Sequence, residues 1–157
     1  MKSLSKQKYF AAAWLICILL LTGCIGEDYY EDPPTAHLEI GDKKYKLKEG
    51  NRNWRFTDED LNKEHIDLKE LAAKQKQITV KPGGRALLVY EQNGKDGHYI
   101  YTGQTIGVVA RKGDEIQILG EQAGGFYFPK EKGNYVLEID FDSDQGDTEF
   151  VGNIKVE

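Results

Sequence analysis

Few residues of this chain could carry out chemistry, and their spacing limits what each can do. Acyl transfer needs an activated nucleophile. Beyond residue 24 the one serine is Ser143, set among Asp142, Asp144 and Asp147, with no glycine elbow and no histidine near it in sequence. Those carboxylates would repel a developing oxyanion, so no serine triad is expected. His37, His65 and His98 stand about thirty residues apart in no HxH or HxxxH pair, which reads as three surface histidines rather than metal ligands. The 26 acidic residues could in number supply a carboxylate pair for glycoside hydrolysis, but a chain this small has no room for a shaped sugar cleft. From Asp140 to Glu149 aspartates alternate in the superficial manner of a calcium loop. An EF-hand requires glycine sixth and glutamate twelfth, where this segment has Gln145 and Val151. Asp142, Asp144 and Asp147 are therefore weak calcium candidates at most, better read as a solvated hairpin turn. The chain is not expected to be an enzyme or to need a cofactor.

The two cysteines, Cys17 and Cys24, lie in a segment of a different kind. Lys2, Lys6 and Lys8 precede an uncharged run over residues 9–21. As a helix that run would reach about 20 Å, short of the roughly 30 Å hydrocarbon core of a bilayer. It suits the apolar region of a signal peptide, residues 1–23. Leu21, Thr22, Gly23 and Cys24 close it, with small residues at the two positions before the cysteine. This ending resembles the lipobox of bacterial lipoproteins. The resemblance implies cleavage before Cys24, a diacylglyceryl group on its thiol, and a mature protein lipid-anchored to the cell membrane outside the cytoplasm. Cys17 would leave with the signal, so no disulfide could form. Residues 24–34 are acidic, lack apolar periodicity and end in Pro33-Pro34, the composition of a tether. Ten such residues span on the order of 17 Å.

Three of the 21 Lys and Arg residues fall in the signal, so 18 basic side chains face 26 acidic ones beyond it, a formal charge of −8. That balance argues against nucleic acid, which is bound by displacing counterions from phosphates with basic patches. The remaining residues, 35–157, make one domain, large enough to bury about two-thirds of the surface of its unfolded chain.

The elements that must position these side chains read as β throughout. Short alternating runs recur near residues 36–40, 44–48, 51–56, 77–80, 86–92, 98–102, 105–111, 115–119 and 126–128, and close with 135–141 and 150–156. Turn signals separate them, among them Gly41-Asp42, Asn93-Gly94 and Lys112-Gly113-Asp114. One helical signal breaks the pattern: Asp67 as N-cap, with Glu70 three residues on, predicts a turn or two near 67–74. Strands punctuated this often predict an all-β antiparallel sandwich of about seven to nine strands. Two features point to the immunoglobulin-like form. Tyr135, at the start of the penultimate strand, suits a tyrosine corner, with Leu137 where antibody domains carry a cysteine. Trp54, on an early strand, would plug the space between the sheets.

The lipobox, the acidic Pro-Pro tether, Gly41-Asp-Lys-Lys-Tyr45, Trp54 and the segment Pro129-Lys-Glu-Lys-Gly-Asn-Tyr135 together resemble small membrane lipoproteins of Bacillus and its relatives. The resemblance implies a membrane-anchored, extracytoplasmic β domain. The function expected of such a domain here is that of a non-enzymatic binding module whose partner is another envelope or surface protein, met through a sheet edge or the end loops. Asn53 and Gly152 depart from the pattern, and Gly152 is expected to interrupt the last strand. The lysines at 43, 44, 46 and 48, with Lys130 and Lys132, could meet anionic lipid or teichoic acid, but outward lysines are also the usual guard of an edge strand. Tyr99, Tyr101, Phe126 and Phe128 are expected in the core and Tyr127 outside it. An alternative function is a proteinase-inhibitor-like β domain presenting residues 121–125 to a surface protease.

Overall fold

A computed structural model describes residues 33–55, 62–91 and 103–157. The signal peptide, the lipobox from Leu21 to Cys24, most of the tether, Phe56, His98, Tyr99, Tyr101 and the Asn93-Gly94 turn lie outside the described residues. Pro33 and Pro34, expected at the end of the tether, are both buried.

The described residues form ten strands and one helix in two packed sheets, an immunoglobulin-like β-sandwich. The first sheet contains β1 (Thr35–Ile40), β2 (Lys43–Lys46), β5 (Arg85–Glu91) and β8 (Gly125–Tyr127), in the order β2-β1-β5-β8. The second contains β3 (Lys48–Trp54), β6 (Thr105–Lys112), β7 (Glu115–Ile118), β9 (Gly133–Ser143) and β10 (Gly146–Val156), in the order β3-β10-β9-β6-β7. A short β4 (Ile78–Val80) runs parallel to the end of β10, the one parallel pair. In immunoglobulin terms β1, β5 and β8 occupy the A, B and E places, while β6, β7, β9 and β10 occupy C, C′, F and G. The six residues between β7 and β8 are too few for a D strand, and none forms there.

The strand count exceeds expectation because the chain changes sheets at Leu47. Its N–H bonds the Ala36 carbonyl at 2.9 Å, and the strand then continues as β3 against β10. Gly152 does not interrupt β10. It pairs with Leu137 in unbroken register, and a Cβ there would come 3.0 Å from Leu47 Cδ2, so the missing side chain makes room for that crossing. The one register shift lies instead on the β3 side, between Thr148 and Phe150.

Alternation sets the core. Tyr135, Leu137, Ile139 and Phe141 of β9 face inward, as do Phe150, Ile154 and Val156 of β10. Trp54 is 1 % exposed within this core, on β3, part of the segment inserted between β2 and β4. Phe126 and Phe128 pack edge to face with centroids 5.2 Å apart, and Tyr127 between them points out.

The inserted segment adds a third layer. Helix α1 (Leu68–Ala73) lies over the outer face of the second sheet, against β3, β9 and β10. Its cap forms as expected, with Asp67 Oδ1 accepting from the N–H groups of Lys69 and Glu70 at 2.9 and 3.1 Å. Glu70 pairs with Lys74 one turn on, so the predicted capping-box pair with Asp67 gives way to an i,i+4 ion pair. A Cβ on Gly50 would lie 2.6 Å from Leu68 Cδ2, so glycine there lets the helix seat closely. Val151, on the outer face, is thereby fully buried.

Candidate interaction site

The acidic residues singled out in the sequence come together only partly. Asp142 and Asp147 are cross-strand neighbours at the tip of the β9–β10 hairpin, and Asp144 occupies its two-residue turn. One step down, Asp140 lies opposite Glu149. Partial desolvation, then Glu149, Glu138 and Asp147, push the Asp140 carboxyl above the ordinary range. Among the described residues no His, Cys, Asp or Glu cluster has metal-binding geometry. Ser143 holds the turn: its hydroxyl donates to the Gly146 carbonyl at 3.1 Å and accepts from the Gln145 N–H at 3.3 Å.

His37, expected at the surface, is 7 % exposed, flanked by Glu39 and Glu91 at 3.4 Å each. It lies on the outer face of the first sheet between those two carboxylates, a placement the lone histidine gave no sign of in sequence. His65 is exposed. On β2 the lysines face water as edge residues, and Lys44 bonds Glu39 at 3.1 Å.

Residues 121–125 form a tight turn. Gln122 and Gly125 exchange backbone hydrogen bonds, and Ala123 and Gly124 both have positive φ, 48° and 73°. Arg85 donates to the carbonyls of Gln122 and Ala123 at 3.3 and 3.2 Å. These bonds close the turn on itself and tie it to β5. It offers two residues at its tip and no extended run to lie in a protease cleft.

The surface that sequence reading missed is the edge at β7. All four of its residues are exposed, with Ile116 at 55 % and Ile118 at 80 %. Their side chains share the outer face, beside Arg111 and Val109 of β6. Arg111 makes a two-pronged bond to Glu138, Nε to Oε1 at 2.8 Å and Nη2 to Oε2 at 2.9 Å, which raises the guanidinium pKa further. Leu119, next in the chain, turns inward and donates its N–H to the Val108 carbonyl at 2.8 Å. Backbone groups of an antiparallel strand alternate in direction. Glu115 and Gln117 therefore bond toward β6, while the N–H and C=O groups of Ile116 and Ile118 point off the edge.

Beneath this edge, on the inner side, lies a cavity of about 410 Å3. Ala110 and Tyr135 line it with Ile116, and Glu115, Gln117, Lys112 and Glu131 stand around it. The Tyr135 hydroxyl is turned away, donating to the Glu131 carbonyl at 2.9 Å, the geometry of a tyrosine corner. Lys112 bonds the Glu131 carboxylate, which raises the ammonium pKa, and lies 5.8 Å from the centre of the Tyr135 ring. Glu115 forms no ion pair among the described residues.

Edge and cavity lie at one end of the sandwich, and the chain enters at the other. Thr35 pairs with Glu91, and neighbouring Tyr90 crosses the core to Phe141, centroids 4.8 Å apart, toward the β9–β10 turn. Lys112, Glu115 and Tyr135 sit where β6 ends and β7 and β9 begin. The fold and this edge define the chain as an immunoglobulin-like sandwich without a D strand. No family model, curated protein or solved structure matches it.

Proposed function

We propose that this protein is a non-enzymatic interaction module of the cell envelope, anchored outside the cytoplasm by lipid on Cys24, that docks an extended segment of another envelope protein along β7. The observation that carries the reading is the β7 edge, where two exposed isoleucines share one face and their backbone groups point outward. Strand addition uses such features: main-chain hydrogen bonds give affinity and alternate side-chain sites give specificity. Each new hydrogen bond contributes about 0.5–1.5 kcal/mol net, and fully burying each isoleucine about 1.5–3 kcal/mol. The lipobox-like ending at Cys24 supports the anchor. With Thr35 at the hairpin end of the sandwich, the β7 end would face away from a membrane held through Cys24, toward partners in the envelope.

A photo-crosslinking side chain at position 118, in intact cells, tests the docking. One discrete protein adduct is expected, absent with the same group at exposed position 81 and lost when Ile116→Asp is added. Adducts to lipid alone, or equal adducts from both positions, would sink the reading.

A further inference from the structure

We infer that the segment received by β7 carries a basic residue, Lys or Arg, at the position that falls over the cavity below the edge. The inference rests on the docking reading above and adds the partner's chemistry. A strand laid beside β7 presents alternate side chains to its two faces. On the outer face they meet Ile116 and Ile118, which suits β-branched apolar residues. On the inner face they meet the cavity lined by Ala110 and Tyr135. The charge there is unbalanced: Glu115 and Glu131 face it against Lys112 alone, which bonds Glu131 and reaches Glu115 across the strands only through a weaker long-range attraction. An aliphatic stem over that lining, ending in a cation, would cover the apolar surface and bring a charge to Glu115. An acidic residue at the same position would place like charges together. A second copy paired β7 to β7 fits less well. The edge strand reads Glu115-Ile116-Gln117-Ile118 and has no basic residue to offer its twin.

The test uses full-length protein in detergent and two synthetic fluorescent nonapeptides of alternating Val and Thr, differing only in a central Lys or Glu. The Lys peptide is expected to bind at least tenfold more tightly. Glu115→Gln, a surface substitution of the same shape, should cut that preference to threefold or less. Ile118→Pro removes an N–H that points off the edge and leaves the β6 ladder intact, so it should abolish binding of both peptides. Equal binding of the two peptides, or a preference that survives Glu115→Gln, would overturn the basic residue while leaving the edge as a docking site. Binding of neither peptide would overturn the docking reading itself. Concentration-dependent dimers lost in Ile118→Pro would make a second copy the occupant and also overturn the inference.

Discussion

Two tyrosines with opposite surroundings make the sharpest contrast among single residues. The Tyr135 hydroxyl spans the β8–β9 corner to the Glu131 carbonyl, so Tyr135→Phe removes that bond and leaves a carbonyl without its partner. A loss of about 1–3 kcal/mol is expected in denaturant melts of the soluble 33–157 fragment. Unchanged stability would mean the corner bond contributes nothing. The Tyr90 hydroxyl is buried with no partner among the described residues, and desolvation, followed by Glu121 and Asp140, pushes its pKa above the ordinary phenol range. Tyr90→Phe deletes the orphan donor and keeps the ring against Phe141. The same melts should show a gain of roughly 1 kcal/mol; a loss would reveal a partner for this hydroxyl. The corner role of Tyr135 follows from its place at the start of the penultimate strand, whereas nothing in the sequence marks the orphaned hydroxyl of Tyr90.

Among the elements, the β9–β10 hairpin joins the core to the acidic tip. Gly146 lies against β3, where a Cβ would come 2.4 Å from the Asn53 carbonyl oxygen and 2.9 Å from Trp54 Cα. Because both atoms belong to backbone, Gly146→Ala must push β3 away, at a cost of about 1–3 kcal/mol measured as a lower melting midpoint. The outer face of the same hairpin holds Asp140, whose pKa in the fold is raised above 3.8. Between those two values the folded state holds the extra proton. Its stabilising share is therefore complete below that window and lost as pH rises through it. Asp140→Asn should raise stability at pH 7 by a few tenths of a kcal/mol, roughly the scale of solvent-screened charges, and the gain should vanish near pH 3. A gain equal at both pH values would place its cause outside the titration.

At the scale of the whole molecule, the proposed lipid anchor would decide which end of the sandwich is free. Cys24→Ser should abolish incorporation of labelled fatty acid and release the domain from the membrane, because attachment by acyl chains depends on burying their methylenes. Equal labelling of wild type and variant would remove the lipid anchor and with it the outward orientation of β7. In calorimetric titration with calcium the domain should give no saturable heat. Saturable heat lost in the Asp142→Asn/Asp144→Asn double substitution would instead make the hairpin tip a cation site.

Alternation and turn chemistry made much of this architecture legible in advance. The inward row from Tyr135 to Phe141, the cap at Asp67 and the outward Tyr127 all follow from local period and side-chain type, and the structure has them in place. Side-chain period alone could not show that the strand near Leu47 divides between two sheets, because an extended segment looks the same whichever neighbour it pairs with. The burial of His37 was hidden for a related reason: its cover comes from Glu39 and Glu91, the latter on a strand distant in sequence. The β7 edge was the hardest to foresee. Ile116 and Ile118 have the pattern of a buried strand face, and only the sheet order, with β7 last and no D strand after it, leaves them in solvent. Sequence determined which residues alternate and where the chain turns, because those are local properties of the backbone; the tertiary structure decided which edge stays unpaired, because that depends on which strands meet.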